Sequence, residues 1–257
     1  MIQVIIISTA FLASILTFFS GFGLGTIMLP AFALFFPIST AIVMTGIVHF
    51  INGIFKVLVV IRHIHFPTLW RFGLLAIPSA FLGAWIMTNI EDQSSLLSYT
   101  IFDREYFITP LKLIVGLLMM IFSIIETFPK LKNISISPKY LPIGGALSGF
   151  FGGLTGHQGA FRSMFLIRAG LSKEQFIATG SAFSFFVDLT RISVYLKNIS
   201  KIEIGNNALL LSLTTLAALS GVIIGNRLLK KVDMKSIRFI VGSAILILGL
   251  LITLGIV

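Results

Sequence analysis

Two glycine-rich breaks interrupt apolar stretches of this sequence that are too long to be helices of a soluble core. The first break is residues 21–25 (GFGLG), and the second is residues 152–159 (GGLTGHQG). Inside a bilayer, backbone outside a helix is tolerated only where protein buries it or where it lines a cavity. Such breaks at corresponding positions of two halves indicate that a small ligand binds near the middle of the membrane.

The composition places the chain among integral membrane proteins. Of its 257 residues, 56% are hydrophobic and only 11% are charged, and a soluble domain cannot bury so much apolar surface. The formal net charge of +10 indicates cytoplasmic loops and contact with anionic membrane lipid, and no nucleic-acid-binding motif accompanies it. The N-terminus lacks the basic region and the cleavage site of a signal peptide, so we expect it to be retained.

The sequence contains no motif for a metal, a cofactor or a catalytic nucleophile. Cysteine is absent, which excludes disulfides and thiolate ligands. A zinc-binding His-Glu-x-x-His, a phosphate-binding loop and a nucleophile elbow are all missing. We therefore expect no enzyme, no metal and no cofactor. Any transport would be secondary or channel-like, because the chain has no nucleotide-binding domain.

The charges of the loops predict how the chain crosses the membrane. Three loops are basic and one is acidic: 62–71, 128–139 and 227–238 against 91–107. The positive-inside rule places the basic loops in the cytoplasm and the acidic loop outside. If residues 140–170 crossed the membrane once, the last basic loop would lie outside. The pattern therefore favours a hairpin at 140–170 that returns to the face it entered, a counterpart at 4–36, and both termini outside.

A faint internal repeat accompanies the two breaks. Gly46 lies 21 residues after Gly25, and Gly180 lies 21 residues after Gly159. Each of these segments is followed by a polar cluster in an apolar helix: His49, Asn52 and Lys56 in the first half, and Ser184, Asp188 and Arg191 in the second.

These patterns predict an all-α polytopic integral membrane protein built from two repeats. The repeats would be residues 1–130 and 138–257, each with one glycine-broken hairpin and three transmembrane helices. Because each repeat then crosses the membrane three times, the second half starts on the opposite face. The halves would be inverted repeats, the arrangement that permits alternating access.

The second break carries the strongest candidate for an anion site. Gly156, His157, Gln158 and Gly159 precede a short apolar helix, whose N-terminal N–H groups carry positive partial charge. Such helix ends bind anions, and Arg162, one turn inside, adds a charge-assisted contact to an oxyanion. The alternative is a packing kink, with Arg162 reaching to the membrane interface. We favour the anion site, because an intramembrane charge is expensive.

A second pair of charges lies in the helix that follows. Asp188 and Arg191 are three residues apart on one helix face, within reach of each other. They form either a structural ion pair or a relay, in which Asp188 couples a proton to transport and Arg191 contacts the substrate. The sequence leaves both hypotheses open.

The first half contributes weaker candidates. Asn52, Lys56 and His49 share one helix stripe. Lys56 either faces the anion as a further cation or reaches to the cytoplasmic interface, and a lone histidine such as His49 is more often a buried donor than a ligand. The first break has no charge of its own, so Gly23 and Gly25 either present backbone N–H groups to the ligand or allow close helix packing.

At these residues the sequence resembles the TauE/SafE family of membrane transporters, the sulfite-exporter type also called the TSUP family. The resemblance rests on residues 21–30 (GFGLGTIMLP) and 149–159, followed by 170–172 and 178–180. It implies a permease of the bacterial inner membrane for small sulfur oxyanions or organosulfonates, without a cofactor. The second glycine run is poorer in glycine than is usual in the family, which together with residues 187–191 indicates a distinct subgroup.

The resulting hypothesis is a secondary transporter whose small anionic substrate lies between the two breaks, near the middle of the bilayer. Arg162 and the backbone of residues 156–159 would bind the anion, with Arg191 and Lys56 as further cations and Asp188 as the proton-coupling group. The expected partners are this substrate and membrane lipid, with no nucleic acid, and a homo-oligomer is left open. Two alternatives remain: a passive anion channel of the same fold, and an intramembrane enzyme or lipid-handling protein that uses the histidine of the second break.

Overall fold

The computed structural model of the chain describes residues 1–20, 23–90, 95–128, 135–197, 207–228 and 234–257. Several residues of the loop-charge argument lie outside this part of the chain: Glu91, Asp92, Lys130, Lys132, Lys230 and Lys231. Gly21 and Phe22 of the first break also lie outside it.

The described residues form ten α-helices and one β-hairpin. In chain order the helices are α1 Ile2–Ser20, α2 Leu24–Ala33, α3 Ile38–Val60, α4 Phe66–Asn89, α5 Pro110–Thr127, α6 Leu141–Thr155, α7 Gly159–Leu166, α8 Lys173–Leu196, α9 Ala208–Leu228 and α10 Met234–Thr253. Two single turns of 3₁₀-helix, Ile61–His63 and Pro138–Tyr140, follow α3 and precede α6. The strands β1 Leu97–Ile101 and β2 Arg104–Ile108 lie between α4 and α5.

Local sequence explains where several helices begin. Both α4 and α5 have a proline in their first turn, where its missing N–H is not needed. Thr109 caps α5 by accepting a hydrogen bond from the Lys112 N–H at 3.2 Å. Helix α8 begins with a capping box, in which Ser172 and Gln175 satisfy each other's backbone N–H groups.

Three helical segments of the described part are long and apolar enough to cross a membrane: Ile38–His63, Phe66–Asn89 and Pro110–Thr127. The apolar parts of α1, α2, α9 and α10 are shorter. Helix α8 is 24 residues long and carries the two buried charges Asp188 and Arg191. The chain is therefore the helical membrane protein that its composition predicts.

The acidic loop contains a hairpin that the sequence analysis did not predict. β1 and β2 pair antiparallel, with Ile101 opposite Arg104. The two turn residues, Phe102 and Asp103, both have positive φ, 49° and 61°, as a type I′ turn requires. The usual Asn-Gly or Asp-Gly signal for such a turn is absent. The Tyr99 hydroxyl donates a hydrogen bond to the Leu254 carbonyl at 2.6 Å, which connects the hairpin to the end of α10.

Helices α3 and α8 pack in opposite directions. The backbone N–H of His65, just beyond α3, donates to Thr179 Oγ1 near the start of α8 at 3.0 Å. Gly46, early in α3, lies against the ring of Tyr195 near the end of α8. The start of each helix therefore faces the end of the other.

Helices α5 and α10 also pack antiparallel. Gly116, early in α5, lies against Thr253 at the end of α10. The Ser123 hydroxyl, later in α5, donates to the Gly242 carbonyl at 2.6 Å. The C-terminal end of α10 and the start of α5 therefore lie at the same end of the molecule, the one that carries the hairpin.

Helices α4 and α6 run parallel along a seam of small residues. Three glycines of α6 lie against the backbone of α4 in matching order: Gly145 against Phe72, Gly149 against Ala76 and Gly153 against Ala80. A Cβ at any of these glycines would meet a backbone carbonyl of α4. Small residues allow this close approach of helices in membranes, where dispersion contacts between backbones hold helices together.

Helix α8 runs in the same direction as α4. Thr179 accepts from the N–H of His65, which precedes α4, and one turn later Phe183 packs edge-on against Phe72 with ring centroids 4.6 Å apart. Since α6 is also parallel to α4, helices α6 and α8 start at the same end of the molecule.

Helix α7 connects α6 to α8 by running back towards that end. The Ile136 N–H, which precedes α6, donates to the Met164 carbonyl near the end of α7 at 3.0 Å. Residues 141–166 therefore form a helical hairpin that enters the protein and returns to the end where it began.

Candidate functional site

The second break is a turn of buried backbone between α6 and α7. Gly156 ends α6 in the left-handed conformation, with φ 88°, which favours glycine. Its N–H donates to the Gly152 carbonyl at 2.9 Å, and the Gln158 N–H donates to the Gly156 carbonyl at 3.1 Å. Two of the four N–H groups that the sequence analysis gave to an anion, those of Gly156 and Gln158, therefore donate to protein carbonyls.

The described part of the first break, Gly23 to Gly25, lies against the second break. Gly23 is the N-cap of α2, and its carbonyl accepts from the Thr26 N–H at 3.0 Å. A Cβ built at Gly25 would stand 3.7 Å from the Gly156 carbonyl oxygen and 3.6 Å from the His49 ring. The start of α2, the middle of α3 and the second break therefore meet at one place.

Asp188 lies at the centre of a buried cluster that joins the two halves of the chain. Its side chain is fully buried. Oδ1 accepts from Arg191 Nε at 2.9 Å and from Gln158 Nε2 at 3.5 Å, and Oδ2 lies 2.5 Å from His49 Nδ1. An ionised carboxylate only accepts hydrogen bonds, so the contact with an ionised Asp188 requires the His49 tautomer that carries a proton on Nδ1.

Arg191 lies between two glycines. Its side chain is fully buried, and Nη2 is 2.8 Å from Asp188 Oδ1. A Cβ built at Gly156 would stand 2.6 Å from Nη1, and one built at Gly46 would stand 3.5 Å from Cζ. Among the described residues, Nη1 has no hydrogen-bond acceptor. The guanidinium thus fills the space that a side chain at position 156 would occupy.

Other buried polar atoms on α3 and in the second break also lack hydrogen-bond partners within the described part of the chain. They are Thr45 Oγ1, Asn52 Oδ1, His157 Nε2 and Gln158 Oε1. An unsatisfied buried donor or acceptor costs about 1–3 kcal/mol. Such atoms on neighbouring elements are therefore typical of a site that binds water or a polar ligand.

His157 points towards α5. Its ring stacks on Phe122, with centroids 5.4 Å apart and an interplanar angle of 7°. Nδ1 lies 3.0 Å from the Thr155 hydroxyl. The side chain is buried, and its contacts are with Phe122 and Thr155 rather than with Asp188.

Arg162 lies against α8. Its Nη1 donates to the Gly180 carbonyl at 3.1 Å and to the Ser184 hydroxyl. A Cβ at Gly180 would stand 3.3 Å from Nε, so this glycine makes room for the side chain. Lys56, half-buried on α3, has Arg162 as an electrostatic neighbour. Arg162 and Lys56 therefore form a second group of cations, on the side of Asp188 towards the end of α3.

The sequence analysis did not assign a role to His49. It treated the side chain as a lone buried donor, whereas His49 Nδ1 contacts the carboxylate of Asp188, 139 residues away. The signal was present in the two matched polar clusters, one in each half. Two such clusters face each other when α3 and α8 pack together, but that packing is a tertiary feature.

Comparison with known proteins gives one family. Residues 6–252 match the profile of the family described as Sulfite exporter TauE/SafE. The chain belongs to the TauE/SafE family. No curated protein and no solved structure matches it significantly.

The TauE/SafE match confirms the resemblance noted in the sequence, and it covers both glycine breaks and the whole cluster around Asp188. TauE/SafE proteins are membrane transporters of the anion-exporter type. This membership and the apolar helices together identify an integral membrane protein of a transport family.

Proposed function

We propose that this chain is a secondary transporter for a small anion, with a sulfur oxyanion or an organosulfonate as substrate. The observation that carries the proposal is Arg191, a fully buried guanidinium that lies against the second break. Its Nη1 has no acceptor among the described residues. A buried intramembrane cation is expensive and marks a functional site, and an oxyanion supplies acceptor atoms in the geometry that a guanidinium prefers.

In this proposal the substrate lies beside Arg191, between the two breaks. Gln158 Nε2 donates one of its two N–H groups to Asp188 and has a second for an oxyanion. The Asn52 side-chain oxygen has no partner among the described residues, and a 180° rotation of that amide would present its NH2 donors instead. Gly23 and Gly25 let the backbone of the first break come close. The N–H groups of His157 and Gly159 remain backbone candidates.

The proposal gives Arg191 precedence over Arg162, reversing the order that the sequence suggested. Arg162 already donates to Gly180 and Ser184. Arg162 and Lys56 together place two positive charges near Asp188, on the side where α8 begins. In this proposal these charges attract the anion towards the Arg191 site.

Family membership supports a sulfur oxyanion as the substrate class. A planar guanidinium with nearby amide groups fits the oxygens of sulfite or of a sulfonate, and it fits a carboxylate in the same way. Carboxylates are therefore the natural competitors in a substrate panel.

We infer further that residues 1–130 and 138–257 are inverted repeats. The helices that follow the hairpin in each half, α3 and α8, pack antiparallel, and so do the last helices, α5 and α10. Repeats related by an axis along the membrane normal would place corresponding helices parallel. Inverted repeats provide the two related states that alternating access needs.

Cysteine labelling tests this arrangement. The chain has no cysteine, so a single cysteine at position 98 or 234 reports one location. Position 98 lies in the β-hairpin at the C-terminal end of α10, and position 234 is the first residue of α10. Helix α10 has 20 residues, so its two ends are about 30 Å apart at 1.5 Å per residue. The two cysteines should react from opposite sides of the membrane, and reaction from one side would contradict the repeat assignment.

Flux into proteoliposomes tests the function. Labelled sulfite and a small sulfonate should enter with saturable kinetics. Arg191→Gln, which removes the charge and keeps an amide, should weaken apparent affinity about 10–100-fold, because a hydrogen bond to a charged group is worth about 1.5–3 kcal/mol. The matched control is Arg104→Gln at the exposed start of β2, which should transport like wild type.

Three outcomes would change this assignment. Wild-type affinity in Arg191→Gln would remove Arg191 from the site. Flux that follows only the gradient of the anion, without saturation or proton coupling, would identify a passive channel. The absence of binding and flux for every sulfur oxyanion, sulfonate and carboxylate tested would contradict the anion-transport proposal itself.

A further inference from the structure

We propose that His49 is the residue whose protonation couples a proton to anion binding at the Arg191 site. The inference rests on the proposed anion-transport function and goes beyond it by naming the proton-binding group. In the sequence analysis that role fell to Asp188.

The geometry makes His49 the bridge between the two halves of the site. Its Nδ1 contacts Asp188 Oδ2 at 2.5 Å, and its ring lies beside Gly25 of the first break. The tautomer with the proton on Nδ1 leaves Nε2 as the basic nitrogen. Within the pair, His49 retains 13% of its side-chain exposure whereas Asp188 has none, so the ring is the more accessible of the two groups.

Charge arithmetic then links the proton to the anion. With neutral His49, the charges of Asp188 and Arg191 cancel, and the cluster has no net attraction for an anion. A proton on Nε2 gives the cluster a net charge of +1, while the Nδ1–H donates to Asp188 in both forms. Asp188 already accepts from two residues besides His49. The proton that comes and goes is therefore assigned to the imidazole.

The surroundings of His49 contain few other charges that could take over this role. From α8 the ring faces Asp188, with Arg191 and the phenol of Tyr195 beyond it. Helix α3 carries Lys56 two turns away, α7 contributes Arg162, and the first break contributes the uncharged Gly25. Near pH 7 the guanidinium groups of Arg162 and Arg191 stay charged and the phenol of Tyr195 stays neutral. Of the groups in contact with Asp188, the imidazole of His49 is therefore the one whose charge changes between pH 5 and 8.

Linkage gives the measurable consequence. If protonation of His49 raises the affinity of the site for the anion by some factor, a bound anion must raise the affinity of His49 for its proton by the same factor. One proton would then be taken up with each anion, and the two would cross the membrane together.

Anion affinity measured against pH tests the proposal. Suitable probes are sulfate and methanesulfonate, whose own charges stay constant from about pH 5.5 to 8, the range in which histidine titrates. Binding to the full chain in detergent is followed by calorimetry. For wild type, the dissociation constant should rise with pH across this range, by at most about tenfold for each pH unit if one proton is coupled to each anion.

His49→Gln is the decisive variant, because a glutamine amide can still donate to Asp188 but does not titrate. Its affinity for both probes should be independent of pH. His65→Gln is the matched control. His65 Nδ1 lies 2.8 Å from the Thr68 hydroxyl at the start of α4, so this variant should keep the wild-type pH slope.

Proton uptake by the wild-type protein gives a second measurement that needs no variant. Calorimetry in buffers of different ionisation enthalpy should show close to one proton taken up per anion near the midpoint of the slope. A wild-type slope of zero, no proton uptake, or an unchanged slope in His49→Gln would overturn the inference while leaving anion transport in place. If neither sulfate nor methanesulfonate bound at any pH, the assignment of the Arg191 site to sulfur oxyanions and sulfonates would be overturned, and this inference with it.

Discussion

The ion pair of Asp188 and Arg191 permits a test that separates a structural role from a functional one. Both side chains are fully buried, and Arg191 contacts Asp188 Oδ1 through Nε at 2.9 Å and through Nη2 at 2.8 Å. Removing one partner of such a pair leaves an uncompensated buried charge, which costs about 3–5 kcal/mol. We therefore expect Asp188→Asn to destabilise the protein by about that amount.

The expected melting shift follows from the size of the chain. For domains of 150–250 residues, 1 kcal/mol shifts Tm by about 2–4 °C, so Asp188→Asn should melt about 6–20 °C below wild type in one detergent at one pH. Arg191→Met should show a loss of similar size. The double variant should recover at least half of either loss, because it leaves no unpaired charge.

The double variant also decides between the two hypotheses that the sequence left open. If the pair serves transport, the double variant should fold and still fail to bind a sulfonate. If it binds with wild-type affinity, the pair is structural and the proposed site is wrong. An Asp188→Asn variant that melts within about 2 °C of wild type would refute the reasoning from burial and charge.

Two further predictions concern glycines whose neighbours differ. In the α4–α6 seam, Gly149→Ala should lower stability by about 1–3 kcal/mol through overpacking against the backbone of α4. The control is Gly73→Ala on α4, which has no atom within 4 Å of the new Cβ and should melt at or above the wild-type temperature. Equal losses in the two variants would exclude the seam as the cause. At the site, Gly156→Ala should abolish sulfonate binding, because the residue has φ 88° and its Cβ would stand 2.6 Å from Arg191 Nη1. The control is Gly46→Ala, whose Cβ would stand 3.5 Å from the same guanidinium and which should retain binding. A thermal-shift titration with the sulfonate compares the two variants.

Much of this architecture follows from local sequence. Hydropathy identifies the membrane class and the glycine breaks, because apolar length and helix interruption depend on the residues of one segment. The prolines at the starts of α4 and α5 and the capping box at Ser172 are local in the same way. The hairpin in the acidic loop was missed for a local reason: its turn uses Phe102 and Asp103 in place of the glycine that signals such turns.

The sequence by itself determined that the chain is a helical membrane protein, where its apolar helices break, and which few polar residues lie within apolar segments. Only the tertiary structure decided which of those residues meet. Asp188 contacts His49 across 139 residues because α3 and α8 pack antiparallel, and Arg162 turns to the backbone of α8 while Arg191 lies against the second break. Periodicity places a side chain on a helix face, but the partner of a buried charge is set by the packing between helices, which no single segment encodes.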